Sequence, residues 1–170
     1  MSELRSFGLQ SLLMGDIAGD GGMGTGLASV GQVLRGTAVL ESDDPEISEI
    51  FSEQQDDAIE SITTPGKRAL RFGLINIAPL SLKKVFGGNV TGTGTANETW
   101  HAPAAQQEVY QSVKATTLNN VIVSIPRAKI IPKFGWNFTR NEVAQIDVEA
   151  VILVPTKSGV APIMVERDAT

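Results

Sequence analysis

The stretch Gln145-Ile146-Asp147-Val148-Glu149-Ala150-Val151-Ile152-Leu153-Val154 alternates apolar and polar side chains. A period of two places Ile146, Val148, Ala150, Ile152 and Val154 on one face of a strand. Gln145, Asp147 and Glu149 fall on the other. Val151 and Leu153 make the second face apolar as well near the end, which predicts cover there from another element or a neighbouring subunit.

Several other segments share this signature. Residues 67–77 place Leu70, Phe72 and Leu74 opposite Arg71 and Gly73. Residues 108–117 place Val109, Val113 and Ala115 opposite Tyr110, Ser112 and Lys114. Residues 120–125 carry Val121, Val123 and Ile125 on one face. Shorter runs at 7–14, 30–40 and 160–167 are further strand candidates. One segment reads well as a helix: Pro79 suits a first helical position, Leu82, Val85 and Phe86 share a face, and Gly87 is a natural stop. Residues 45–51, with Ile47, Ile50 and Phe51 on one side, fit a second short helix or a loop equally well. The expectation is a mainly β protein, an antiparallel sandwich or small barrel with one flanking α-helix. No internal repeat or dividing linker interrupts residues 1–170, so a single domain is expected.

Composition narrows the function. The chain has 170 residues, of which 42% are hydrophobic and 19% charged, a globular balance. It contains no Cys and one His, so neither a thiol nucleophile nor a Cys or multi-His zinc cage can be built within one chain. The net charge is −5 and aromatics are 5%, which points away from tight nucleic-acid binding. No apolar run reaches the roughly 18–20 residues of a membrane span, so no membrane insertion is expected. Met1 to Arg5 is not followed by the apolar run of a secretory leader, and a reducing cytoplasm is the expected site of synthesis.

The motif inventory is thin. Gly19-Asp20-Gly21-Gly22-Met23-Gly24 matches the dinucleotide glycine pattern, but no good helix pattern follows it. Asp16 to Gly21 resembles the start of a calcium loop, yet Ala18 and Leu27 stand where oxygen ligands are needed. Asp43-Asp44 and Asp56-Asp57 are acid pairs in polar segments, where solvation is their ordinary role. His101 has no nucleophile motif beside it. Asn89, Asn97 and Asn137 begin acceptor triplets that matter only in a secreted protein. No enzyme activity, metal or cofactor is expected.

Two features remain. Residues 15–31 hold seven glycines in seventeen positions and read as a flexible or turning segment. Residues 41–60 hold nine acids and no base. Basic residues follow at Lys67, Arg68 and Arg71, and again at Arg127, Lys129, Lys133 and Arg140. Separated blocks of opposite sign allow one copy to pair with the next. A solvated acidic loop that aids solubility is the plainer alternative.

The order of these features resembles phage tail tube proteins of long-tailed phages. Thr37-Ala38-Val39-Leu40-Glu41-Ser42-Asp43-Asp44-Pro45-Glu46 runs from a strand into the acidic segment, which continues to Asp57. Ile62-Thr63-Thr64-Pro65-Gly66-Lys67-Arg68-Ala69-Leu70-Arg71-Phe72 is similar to that family's returning strand. Ala78-Pro79-Leu80-Ser81-Leu82-Lys83-Lys84-Val85-Phe86-Gly87-Gly88 is similar to its short helix. Val123-Ser124-Ile125-Pro126-Arg127-Ala128-Lys129-Ile130 and residues 145–154 are similar to its later strands. The resemblance covers residues 30–166. It leaves 15–31 as an insertion at the tube surface or an element that orders on stacking.

The resemblance implies a tail-tube-like fold in hexameric rings that stack into a tube. Double-stranded DNA would pass along its lumen without specific binding, repelled by acidic walls. It implies tape-measure, tail-terminator and tail-tip proteins as partners, assembly in a host bacterial cytoplasm and residence in the virion tail. Glu41, Asp43, Asp44, Glu46, Glu49, Glu53, Asp56 and Asp57 become candidate contacts to the adjacent ring. Lys67, Arg68, Arg71, Arg127 and Lys129 become their candidate counter-charges. The tube of a bacterial injection or secretion machine fits the same pattern, as does a capsid decoration or head–tail joining protein.

Overall fold

The computed structural model describes residues 3–168. They form twelve strands and one helix in antiparallel sheets. The strands are β1 (Ser11–Gly15), β2 (Ala28–Ser29), β3 (Val39–Ser42), β4 (Glu46–Ile50), β5 (Glu60–Thr64), β6 (Arg68–Leu74), β7 (Asn89–Thr91), β8 (Thr99–His101), β9 (Val109–Thr116), β10 (Val121–Gly135), β11 (Gln145–Ile152) and β12 (Met164–Arg167). Helix α1 (Pro79–Phe86) lies between β6 and β7.

The main sheet runs β2-β1-β9-β10-β11-β6-β3, with β12 on the first half of β10. Ile146, Val148, Ala150 and Ile152 of β11 point into the core, and Leu70, Phe72 and Leu74 of β6 point in beside them. The period-two reading of both segments therefore fixes the same inner face. Val154 lies beyond β11 and is exposed, whereas Val151 and Leu153 are half-buried.

Strand β10 is longer than its sequence pattern predicts, because two prolines interrupt the alternation. Between Ile125 and Ala128 it carries a bulge against β9. Pro126 sits there, where a missing N–H costs no ladder bond. Its carbonyl accepts a 2.6 Å bond from the Ser112 hydroxyl, and the Arg127 carbonyl accepts one of 3.0 Å from Leu153 N–H. Pro132 lies past the end of the β9 pairing, where its other edge has no strand. The bulge also changes neighbours: β12 flanks β10 before it and β11 after it.

The glycine-rich segment and the run after it differ from expectation. Residues 30–40 are not one strand, and residues 15–31 are not an appended loop. Ala28 and Ser29 pair with β1, and Val30 N–H bonds to the Leu12 carbonyl at 3.4 Å. The chain then crosses to the other edge of the sheet. Val33 bridges Leu74, Leu34 N–H donates to Gly73 O at 2.8 Å, and Ile75 N–H donates to Gln32 O at 3.1 Å. Residues 28–34 thus join the β1 edge to the β6 edge and close the sheet into a small barrel. Val30 is fully buried in the core. The loop ahead of it is tied down by Gly24 N–H to Ser112 Oγ at 2.9 Å and by a Lys157–Asp20 ion pair at 2.6 Å.

Helix α1 packs Leu82 and Val85 into the same core. Asn76 joins it to the crossing strap: its amide donates to the Val30 carbonyl at 3.3 Å and to Ser81 Oγ at 3.0 Å. Ser81 Oγ donates to the same carbonyl at 3.2 Å. Gly87 ends the helix with φ +78° and donates its N–H to Lys83 O.

The crossing depends on Gly31, whose φ is +103° and whose missing Cβ leaves room for the Asn76 side chain. Gly31→Ala is expected to lower stability by about 1–3 kcal/mol, from left-handed strain and displacement of Asn76. Gly19→Ala, where a Cβ meets nothing within 4 Å, is expected to change it by less than about 0.5 kcal/mol. Urea melts of the two variants check this, and equal effects would refute the role given to the crossing.

Candidate functional site

The segment read as an acidic loop or short helix is a β-hairpin arm. Residues 46–50 are strand β4, not a helical turn, and pair with β5 from Glu46↔Thr64 to Ile50↔Glu60. The i, i+3 spacing of Ile47 and Ile50 mimics a helical face, but the residues between belong to an extended ladder. The register continues without slip from the β3–β6 pairing, where Ser42 faces Arg68. That continuity sets Pro45 opposite Pro65. Neither proline has an N–H, so the ladder breaks there and separates the arm from the barrel. The paired part of the arm alone spans about 17 Å. Strands β4 and β5 pair only with each other.

Every residue of β4 and β5 is exposed. Ile47 stands on one face, and Ile50 with Ile62 on the other. Phe51 and Ile59 extend the apolar surface into the tip, all five between 45% and 60% exposed. Uncovered apolar side chains on both faces of a two-stranded ladder give it no core of its own.

The charged candidates split into two groups. At the barrel, Arg71 on β6 lies among Glu41 on β3, Asp43 at 3.9 Å and Glu149 on β11 at 3.5 Å. Lys67 pairs with Glu149 as well. Lys129 pairs with Glu108 at 2.8 Å. Arg127 stacks over Tyr110 at 5.2 Å and donates to the Val154 carbonyl at 3.4 Å. Four of the five candidate counter-charges therefore have partners in their own chain, and Glu41 and Asp43 are among those partners. Along the arm, Glu46 and Glu49 lie on β4, and Glu53, Asp56 and Asp57 lie in its tip. Among the described residues no ion pair engages these five, nor Asp44 or Arg68.

Glu149 is the member that sequence reasoning overlooked. Its signal was present in the alternation of β11, which turns it to the polar face, but its partner follows only from the Glu149↔Arg71 register. The Lys67 ammonium, reinforced by Arg71, holds the Glu149 carboxyl below its ordinary value, and Glu149 in turn raises Lys67. The Lys129 ammonium lowers Glu108 in the same way, with help from the Tyr110 hydroxyl.

The remaining chemical candidates are placed plainly. Gly19 to Gly24 lies in the loop between β1 and β2, and the segment after it enters a strand, so no helix N-terminus faces those glycines. His101 on β8 is exposed, with Nε2 3.1 Å from Thr91 Oγ1. Among the described residues no group of three or more His, Asp or Glu side chains is placed to hold a metal ion. A cleft of about 490 Å³ between β1, β9, β10 and β12 is lined by Leu13, Met23, Leu27 and Met164, with Lys114 and Glu166 as its charges. Nothing in it pairs a nucleophile with a base. Among the described residues no helix is long and apolar enough to cross a membrane.

The pairing of Glu149 has a pH signature. A carboxyl held below its ordinary 4.5 adds stability that is full above that pH and is lost as pH falls through the folded-state value. Glu149→Gln is expected to cost about 0.5–1 kcal/mol near neutral pH. The gap to the unmodified chain is expected to narrow as pH falls below that ordinary value. Urea midpoints across that range test this, and a gap independent of pH would refute it.

No family model matches the chain, and no curated protein matches it.

Proposed function

We propose that the protein is a structural subunit that assembles with copies of itself into stacked rings. The resemblance read from the sequence makes this the tube of a phage tail, with hexameric rings and double-stranded DNA passing through the lumen without specific binding. The observation that carries the proposal is the arm. It projects from a closed barrel, exposes Ile47, Ile50, Phe51, Ile59 and Ile62, and carries acids that no ion pair engages among the described residues. An apolar, charged two-stranded ladder is marginal in water and gains its stability from a partner surface. The barrel supports the same reading, since a ring subunit needs a rigid body from which to present its contacts.

The charge arrangement refines which residues make those contacts. Arg71, Lys67 and Lys129 are engaged within the barrel, so the arm acids from Glu46 to Asp57 and the unpaired Arg68 are the groups available to a neighbour. The separation of signs favours oriented encounter over raw affinity.

Residues 44–66 can be removed without breaking the barrel, because Asp43 N–H bonds to the Lys67 carbonyl at 2.8 Å and the β3–β6 ladder continues below it. Replacing them by Asn-Gly supplies a two-residue hairpin turn. The shortened chain is expected to keep the cooperative unfolding of the full chain and to stay monomeric. The full chain is expected to form rings or hollow tubes over a concentration series in negative-stain electron microscopy and analytical ultracentrifugation. Equal assembly of both chains would refute the arm's role. A full chain that stays dispersed at every concentration would favour a decoration or head–tail joining subunit.

A further inference from the structure

We infer that the arm of one copy docks on an aromatic ridge that the β10–β11 hairpin of a second copy presents. The inference rests on the self-assembly reading and names the receiving surface. The ridge begins where Phe86, at the end of α1, stacks on Phe134 of β10 with centroids 4.2 Å apart and planes 15° apart. Phe134 meets Trp136 at 6.4 Å, and Trp136 stacks on Phe138 at 5.8 Å and 16°. The rings therefore run in file from the helix out to Phe138, which is 89% exposed. Val143 on the returning side of the same loop is exposed as well.

The ring contacts from Phe134 to Trp136 and from Trp136 to Phe138 place the three on one side of the hairpin, and each holds the next in place. A ridge ordered in advance loses little side-chain freedom on binding, and aromatic anchors dominate such contacts. Two bases flank it, beside one carboxylate. Lys83 sits one helical turn before Phe86, and Arg140 lies two residues beyond Phe138. Among the described residues no ion pair holds either. The nearby carboxylate, Glu142, already accepts a hydrogen bond from Asn137.

The arm is the matching surface: branched aliphatic side chains, one aromatic and a run of acids without a base. Within one chain every residue of β4 and β5 is exposed, so the ridge of the same chain does not cover them and the two surfaces are free to meet between copies. Arm and ridge are different patches, so the contact can repeat head-to-tail from copy to copy. A contact of that kind closes a ring or propagates along a stack.

The absence of cysteine makes the test clean. Ile50→Cys on the arm and Val143→Cys beside the ridge are made as separate single variants, mixed in equal amounts and oxidised with oxidised glutathione. A disulfide joining the two variants is expected at about ten times the yield of either homodimer, since a docked contact raises the effective concentration of the pair. Adding Phe138→Ser to the ridge variant is expected to lower that yield about tenfold or more. Its urea midpoint should not move, because Phe138 is exposed. Arg140→Glu should also lower the yield, and Asp57→Lys on the arm variant should restore part of it.

Assembly by the full chain, without the mixed disulfide and with Phe138→Ser assembling normally, would overturn this inference and leave the self-assembly reading standing. Absence of both assembly and mixed disulfide at every concentration would overturn both.

Discussion

The closed barrel depends on one crossing, where residues 28–34 leave the β1 edge and attach to the β6 edge. An antiparallel sheet with two open edges offers unpaired N–H and C=O groups to any passing strand. The crossing pairs with β1 at one end and with the last residues of β6 at the other, from a single piece of chain. Its centre is Val30, whose side chain is buried and whose carbonyl receives both the Asn76 amide and the Ser81 hydroxyl. Those two donors come from the approach to α1 and from its first turn. The helix, the strap and the barrel wall are therefore coupled through one carbonyl, and the glycine beside it is the residue that permits the turn.

Ser112 does the corresponding work on the opposite side. Its hydroxyl donates to the bulged Pro126 carbonyl and accepts from Gly24 N–H, so the bend in β10 and the loop before the strap share one buried group. The bend gives β10 two sets of neighbours, β12 on its first half and β11 on its second. Its far end then runs past Val109, the first residue of β9, and carries Phe134 to the edge of the helix. The exposed aromatic ridge is thus a consequence of how a fifteen-residue strand is shared between two parts of the sheet.

What the sequence discloses follows from which forces are local. β11 and β6 were legible because burial of one face writes a period of two directly into the residues. Helix α1 was legible because Pro79 and Gly87 act within a turn of where they stand. β10 was not, since its two prolines look like breaks until the bulge and the free edge that accommodate them are known. The arm was not either: with neither face buried, Ile47, Ile50 and Ile62 have no partner whose burial would impose a pattern. The glycine cluster looked like a flexible insertion because nothing local reveals that Val30 ends in the core. At the candidate site, the acidic run was plain from composition. Its division into barrel acids that pair and arm acids that do not was hidden, because Glu41, Arg71 and Glu149 meet only through the register of three strands.

The facing prolines at 45 and 65 tie these observations together. The ladder is continuous in register on both sides of them, so the arm inherits its direction and its sheet face from β3 and β6. Yet the two residues that would bond across the gap have no N–H to give. The salt-bridged cluster of Arg71, Glu41, Asp43, Lys67 and Glu149 lies immediately on the barrel side and fixes the ladder up to that break. Beyond it nothing but the hairpin's own hydrogen bonds restrains the arm. If the arm docks as proposed, a rigid root with a weakened joint lets one geometry serve both a free subunit and a docked one. In that assembly the barrel would keep its stability independent of the partner, and the arm's apolar residues would find cover on contact. Separating the two in this way would place the cost of ordering the arm in the proposed association step, where it would tune affinity without threatening the fold.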